Sequence, residues 1–79
     1  PNPFNPKTVI SYLLAVSGKV ELSIYNIFGQ EVETLVNETQ SHGEYRISFD
    51  GSHLSSGIYF YRLTIDDKFR KAKKMFLIK

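Results

Sequence analysis

The candidates for acid-base chemistry or metal binding in this 79-residue chain are its two histidines and three aspartates. His42 and His53 each stand beside glycine or serine in polar segments, and neither has a second His or a Cys at ligand spacing. Asp50 precedes a glycine, and Asp66 and Asp67 stand together, but neither place shows the alternating acids of a calcium loop. We therefore predict turn and surface positions for all five side chains and no metal site.

Nucleophilic catalysis and cofactor binding have no better support. The chain has no cysteine, which excludes thiolate chemistry and Cys-based zinc sites. Ser55-Ser56-Gly57 is no nucleophile elbow, because a strand-like segment follows the glycine. No P-loop, helix-turn-helix or RNA-binding aromatic motif is present. The sequence thus predicts no catalytic residue, no cofactor and no nucleic-acid ligand.

The charges are divided unevenly along the chain. Residues 1–67 carry four Lys or Arg and eight Asp or Glu, a net charge of −4, whereas residues 68–79 carry six Lys or Arg and no acid. Lys73, Lys74 and Lys79 lie in or beyond the last predicted strand. Such lysines either discourage the pairing of an edge strand with other chains or form a surface that a partner recognises. We take partner recognition by these three lysines as the hypothesis to test.

The elements that would position these residues are strands. The densest β-favouring run is Ile58–Leu63, in which Tyr59 and Tyr61 share a face, and we predict it as the central strand. Its near-continuous apolarity predicts cover on at least part of both faces, and the last strand shows the same pattern around Phe76 and Ile78. Because at least three of the five tyrosines take inward positions, core packing is favoured over a carbohydrate-binding platform.

Glycines and polar segments separate the other strands. Gly29 closes a turn, a polar loop over residues 37–43 ends at Gly43, and Gly57 precedes the central strand. Each glycine lies where a strand begins or ends, so we predict structural roles for them and not ligand binding. The six predicted strands cover residues 8–14, 20–25, 31–36, 44–49, 58–65 and 68–79. Six or seven short strands without a helical period favour an all-β, two-sheet antiparallel sandwich.

The first residues differ from the rest. Pro1, Pro3 and Pro6 enforce extended backbone, and Phe4 is the one side chain among them that could enter the core. We predict that residues 1–7 are a proline-rich lead-in from an upstream linker and that residues 8–79 are the folded domain. No apolar run of about 18 residues occurs, so no transmembrane segment is predicted.

The order of these motifs is similar to that of a known family. The motifs are Pro1–Pro6, Thr8–Leu14, Val20–Asn26 with Gly29-Gln30, Gly43 with Tyr45, Ser56–Tyr59 and Lys73–Met75. The chain resembles, nearly end to end, the type A C-terminal sorting domain of the type IX (Por) secretion system, a relative of the immunoglobulin-like domain of the flagellar hook-capping protein. It departs from the pattern at Ala15 in place of Pro, at Phe49 in place of Trp, and at Asp66-Asp67, where the last hairpin usually has Gly.

The resemblance implies both a fold and a function. The fold would be an immunoglobulin-like antiparallel β-sandwich of about seven strands. The domain would be non-catalytic and would follow a larger upstream cargo domain, which crosses the inner membrane by its own signal. The outer-membrane type IX translocon would recognise the domain in the periplasm, and a sortase-like peptidase would remove it, leaving the cargo secreted or on the cell surface. The alternative is a structural immunoglobulin-like interaction module that packs on its parent protein or on copies of itself.

Overall fold

The computed structural model describes residues 6–79, and this part of the chain forms six β-strands and no helix. The strands are β1 Lys7–Leu14, β2 Gly18–Asn26, β3 Glu31–Gln40, β4 Gly43–Asp50, β5 Gly57–Ile65 and β6 Lys68–Leu77. The all-β prediction is confirmed, but with six strands instead of about seven. The strands are eight to ten residues long and the connections between them are short. Six strands and their connections therefore account for nearly all of residues 6–79 and leave no room for a seventh strand.

The strands form two antiparallel sheets. One sheet contains β1 and β4, and the other has the order β3-β2-β5-β6. The two interior strands of the larger sheet are β2 and β5, which confirms the central position predicted for Ile58–Leu63. The larger sheet therefore has two edges, β3 and β6.

The core lies between the two sheets, on the faces that sequence alternation predicts. In the larger sheet, Val20, Leu22 and Ile24 of β2 are completely inaccessible to solvent. The other buried apolar residues come from both sheets: Ile10, Tyr12, Leu14, Val36, Phe49, Tyr59, Tyr61, Leu63 and Leu77. Because side chains alternate between the faces of a strand, every second residue enters this core and its neighbours face outward.

The outer face of the larger sheet is less covered than predicted. Phe76 is 66% exposed and Ile78 62% exposed, so the prediction of cover on both sides of the last strand is wrong. Ile58 and Phe60 of β5 also keep more than a third of their surface exposed. Two layers supply a single core, and no element among residues 6–79 lies over this outer face.

The polar loop predicted for residues 37–43 is also wrong, because β3 continues to Gln40. The end of β3 pairs with the start of β2, where Gly18 lies opposite Gln40. Gln40 is buried, and the hydroxyl of Tyr12 in the smaller sheet donates a hydrogen bond of 2.6 Å to its Oε1. The ring of Tyr12 stacks on Tyr45 with centroids 5.3 Å apart. This polar contact joins the two sheets and compensates for burying an amide.

The hairpin between β5 and β6 turns at two aspartates. Asp66 and Asp67 have φ angles of 53° and 62°, as a two-residue type I′ turn requires. The carboxylate of Asp66 accepts a hydrogen bond of 2.9 Å from the backbone N–H of Lys19, and its own N–H donates to the Lys19 carbonyl at 2.8 Å. These two bonds hold the hairpin against the start of β2 and show why aspartate is tolerated here.

Candidate functional site

The side chains that could have carried chemistry lie apart on the surface. His42 is exposed between β3 and β4, and Nε2 of the exposed His53 lies 3.0 Å from Oε1 of Glu33. Asp50 accepts a hydrogen bond of 3.0 Å from the backbone N–H of Ser52, and this bond lowers the pKa of the carboxyl. Within residues 6–79, no three His, Asp or Glu side chains come together as a metal site would require.

Two of the three predicted recognition lysines, Lys73 and Lys74, lie on β6, an edge strand, and point to opposite faces. Lys73 lies opposite the buried Tyr61 of β5, and Lys74 lies opposite the partly exposed Phe60. Residues opposite each other on neighbouring strands share a face. Lys73 is therefore on the core-facing side of the sheet and Lys74 on the outer side, and both are exposed at the edge.

Lys74 belongs to a surface of cations and aromatic rings. Its Nζ lies 5.7 Å from the ring centroid of Phe76, two residues along the same face of β6. On the same outer face, the guanidinium of Arg62 lies 4.8 Å from the ring centroid of Tyr25 and donates a hydrogen bond of 2.7 Å to its hydroxyl. A cation within about 6 Å of the centroid of an aromatic ring is attracted to the face of the ring. The outer face thus presents positive charge together with apolar surface.

Lys79 is separated from the other two lysines. Its backbone N–H donates to Oγ of Ser56 at 3.0 Å, and its Nζ donates to the backbone carbonyl of Ser52. Both acceptors belong to the connection between β4 and β5. The structure therefore brings Lys73 and Lys74 to one strand edge but places Lys79 against a loop.

A groove between β6 and β1 was not predicted. It has a volume of about 450 Å³ and is lined by residues 6–10 at the start of β1, residues 73–78 at the end of β6, and Tyr61. A site on one face of a strand would be lined by every second residue, because consecutive side chains point to opposite faces. Consecutive residues line this groove, so it runs along the edges of the two strands. Nothing local in the sequence signals this site, because β1 and β6 come together only when the two sheets pack.

The glycines and tyrosine of the family motifs take defined positions. Gly29 has a φ of 77° in the turn between β2 and β3, a conformation that favours glycine. Gly43 and Gly57 are the first residues of β4 and β5. Tyr59 is buried and its hydroxyl donates a hydrogen bond of 2.8 Å to the carbonyl of Ser55. Their structural roles remain predictions.

Most of the proline-rich lead-in lies outside the described residues. Pro1, Pro3 and Phe4 lie outside the described residues, so the lead-in of residues 1–7 stays a prediction. Strand β1 already begins at Lys7. No helix within residues 6–79 is long and apolar enough to cross a membrane.

Comparison with known proteins identifies the family. No curated protein and no solved structure gives a significant match to the chain. The family model described as "secretion system C-terminal sorting domain" matches residues 1–79, the whole of the chain. The chain therefore belongs to the family of C-terminal sorting domains of type IX secretion.

Proposed function

We propose that this domain is a non-catalytic signal that directs a larger protein through the type IX secretion system to the cell surface or the medium. The observation that carries the proposal is the family match over the full length of the chain. Its partners would be an upstream cargo domain of the same protein, the outer-membrane translocon and a sortase-like peptidase. The route would run through the periplasm and across the outer membrane.

We further propose that the export machinery recognises the edge of β6. Lys73 and Lys74 are exposed on the two sides of this edge, in the most basic segment of the chain. Positive charge clustered in this way attracts acidic surfaces and speeds their encounter. Exposed lysines contribute little to folding stability, so their recognition role can be tested without unfolding the domain.

The test is an export assay with matched charge variants. Residues 1–79 are fused to the C-terminus of a reporter in a bacterium that has a type IX system. We expect Lys73→Ala/Lys74→Ala to hold the reporter in the periplasm while the melting temperature stays within a few degrees of wild type. The control is Lys68→Ala/Lys71→Ala, which removes two charges from the same strand outside the groove and should be exported.

Two results would contradict the recognition hypothesis. Normal export of a stable Lys73→Ala/Lys74→Ala variant would show that the export machinery does not recognise these two charges. Equal loss of export in the control would show that only total charge matters. Deleting residues 78–79 tests the third lysine separately, and normal export after this deletion would remove Lys79 from the recognition surface.

The structural interaction module remains the second candidate, because the outer face of the larger sheet carries exposed apolar side chains. Ile58 lies opposite Phe76 there, and Phe60 is the next residue of β5 on that face. Exposed apolar surface of this kind is typical of contacts with another domain. If this candidate is right, Phe60→Ser/Phe76→Ser should release the domain from contact with its parent protein, so that limited proteolysis cleaves the connection between them more readily. Export should be unchanged. A loss of export with unchanged proteolysis would contradict it.

A further inference from the structure

We propose that the open edge of β6 binds an extended segment of a partner protein. This segment contains two consecutive acidic residues next to two apolar residues. The segment would add to the larger sheet as a fifth strand and fill the groove between β6 and β1. This inference deepens the proposed function, on which it rests for the identity of the partner as a component of the export machinery. The chemistry of the site is independent of that identity.

The first support is the edge of β6 that borders the groove and that no other strand within residues 6–79 pairs with. Among residues 6–79, β6 pairs only with β5 and β1 pairs only with β4. The register between β5 and β6 is interrupted near Arg70, because Leu63 lies opposite Lys71 and the next residue, Thr64, lies opposite Phe69. From Lys71 to Leu77 the pairing is regular. A regular edge with one side unpaired is a template for another strand, whereas a bulge discourages pairing.

The second support is the shape of the groove. Its lining takes six consecutive residues, 73–78, from β6 and the residue after it, and five, 6–10, from β1 and the residue before it. At about 3.3 Å per residue, six residues span roughly 20 Å, the length of a typical strand. The buried Ile10, Tyr61 and Leu77 contribute apolar surface to it. An extended peptide therefore finds both a hydrogen-bonding edge and an apolar floor.

The third support is the placement of the two lysines on opposite faces. A partner lying on one face of the sheet would meet Lys73 or Lys74 but not both. A strand beside β6 meets both, because its own consecutive side chains alternate in the same way. Acidic residues would stand opposite the lysines, and apolar residues opposite Met75 and Phe76, which follow on β6. The adjacent lysine pair thus specifies an adjacent acidic pair.

A second copy of this chain fits the site less well. The other edge of the larger sheet, β3, carries Glu31, Glu33 and Glu38 and no basic residue. No two of these glutamates are adjacent, so β3 cannot place acids opposite both lysines at once. Its register with β2 is also interrupted at two places. The edge therefore favours a different protein as the occupant.

The test measures binding of labelled octapeptides to the 79-residue chain by fluorescence anisotropy. The probe is Thr-Thr-Val-Val-Asp-Asp-Thr-Thr, and its control has the same composition with the two aspartates separated by one residue, which puts both on one face. We expect the probe to bind at least tenfold more tightly than the control. Lys73→Ala/Lys74→Ala should remove this preference, and Lys68→Ala/Lys71→Ala should retain it.

Two further versions of the probe test the backbone contacts. Each is N-methylated at alternate residues, so that one blocks the peptide edge facing β6 and the other blocks the opposite edge. Strand addition predicts that one version loses binding and the other keeps it. Equal affinity of all N-methylated forms, or of probe and control, would overturn the proposal. So would self-association of the wild-type chain in sedimentation that Lys73→Ala/Lys74→Ala abolishes, because a second copy would then occupy the edge.

The outcomes separate this inference from the proposed function. If the probe fails but the lysine variant blocks export, the lysines are read in another way and the sorting function stands. If the probe binds as expected but the lysine variant is exported normally, the peptide site stands and its role in export falls.

Discussion

Replacing Tyr12 by Phe tests the contact that joins the two sheets. The Tyr12 hydroxyl donates a hydrogen bond of 2.6 Å to Oε1 of the buried Gln40. Phenylalanine keeps the aromatic ring and its stacking on Tyr45, at a centroid distance of 5.3 Å. The substitution therefore removes one hydroxyl group and leaves the packing of the core in place.

We expect Tyr12→Phe to lower the free energy of unfolding by about 1–3 kcal/mol, because it leaves a buried amide oxygen without its donor. A domain of this length has about 4–12 kcal/mol of stability in total. A loss of about 2 kcal/mol would lower the melting temperature by roughly 8–16 °C. Replacing Gln40 by Leu as well removes the unsatisfied acceptor, so the double variant should be more stable than Tyr12→Phe alone.

The assay is urea unfolding of the wild type, both single variants and the double variant, followed by far-UV circular dichroism. The coupling energy from this double-mutant cycle measures the contact between the two side chains. A Tyr12→Phe variant within about 0.5 kcal/mol of wild type would refute the reasoning. Strictly additive effects of the two substitutions would refute it equally.

The same variant predicts a pH dependence. Burial raises the pKa of Tyr12 above its ordinary value. A group whose pKa is raised by folding contributes stability that is complete below its unfolded pKa, about 10 for tyrosine, and is lost as the pH rises through its folded pKa. The stability advantage of the wild type over Tyr12→Phe should therefore shrink above pH 10. An advantage that grows between pH 8 and pH 11 would contradict this assignment.

Three further substitutions address the core, the last hairpin and a close backbone contact, and circular dichroism melts measure all of them. Leu22→Ala should cost about 2–5 kcal/mol, because Leu22 is completely buried and the change leaves a cavity. Asp67→Gly should stabilise the domain by about 1 kcal/mol, because its φ of 62° strains residues that have a side chain. Gly51→Ala should cost about 1–3 kcal/mol, because the new Cβ would lie 2.8 Å from Cδ1 of Leu77.

Matched variants show whether these effects have the stated causes. Leu13 is 72% exposed, so Leu13→Ala should change stability by less than about 0.5 kcal/mol. Asp66→Gly should not stabilise the hairpin, because it also removes the carboxylate bond to the Lys19 N–H. Equal effects of the two leucine variants, equal gains from the two aspartate variants, or a Gly51→Ala variant as stable as wild type would contradict the respective explanation.

Much of the fold follows from the sequence because side-chain alternation is a local property. Val20, Leu22 and Ile24 alternate with polar or exposed residues, and they form the completely buried part of β2. The same periodicity places Tyr59 and Tyr61 inward on β5. The order of the short motifs likewise indicates the family, which the match to residues 1–79 confirms.

The limits of β3 and the cover of β6 depend on contacts that are distant in the sequence. Gln40 is predicted in a loop because glutamine is polar, yet pairing with Gly18 and the hydrogen bond from the hydroxyl of Tyr12 hold it, buried, at the end of β3. The sequence predicts partial burial for Phe76 and Ile78, because the apolar pattern of a strand is the same whether or not a further layer covers that face. The exposure of both residues follows from the number of layers, which no local pattern contains.

The candidate site divides in the same way. The sequence alone places a cluster of positive charge on the last strand and, by alternation, Lys73 and Lys74 on opposite faces of it. Only the tertiary structure makes that strand an edge, brings residues 6–10 alongside it and directs Lys79 to a loop instead. The groove forms because the two sheets pack together, and the strands that line it, β1 and β6, are far apart in the sequence. Contacts between such distant segments are determined by the whole core and not by any local segment.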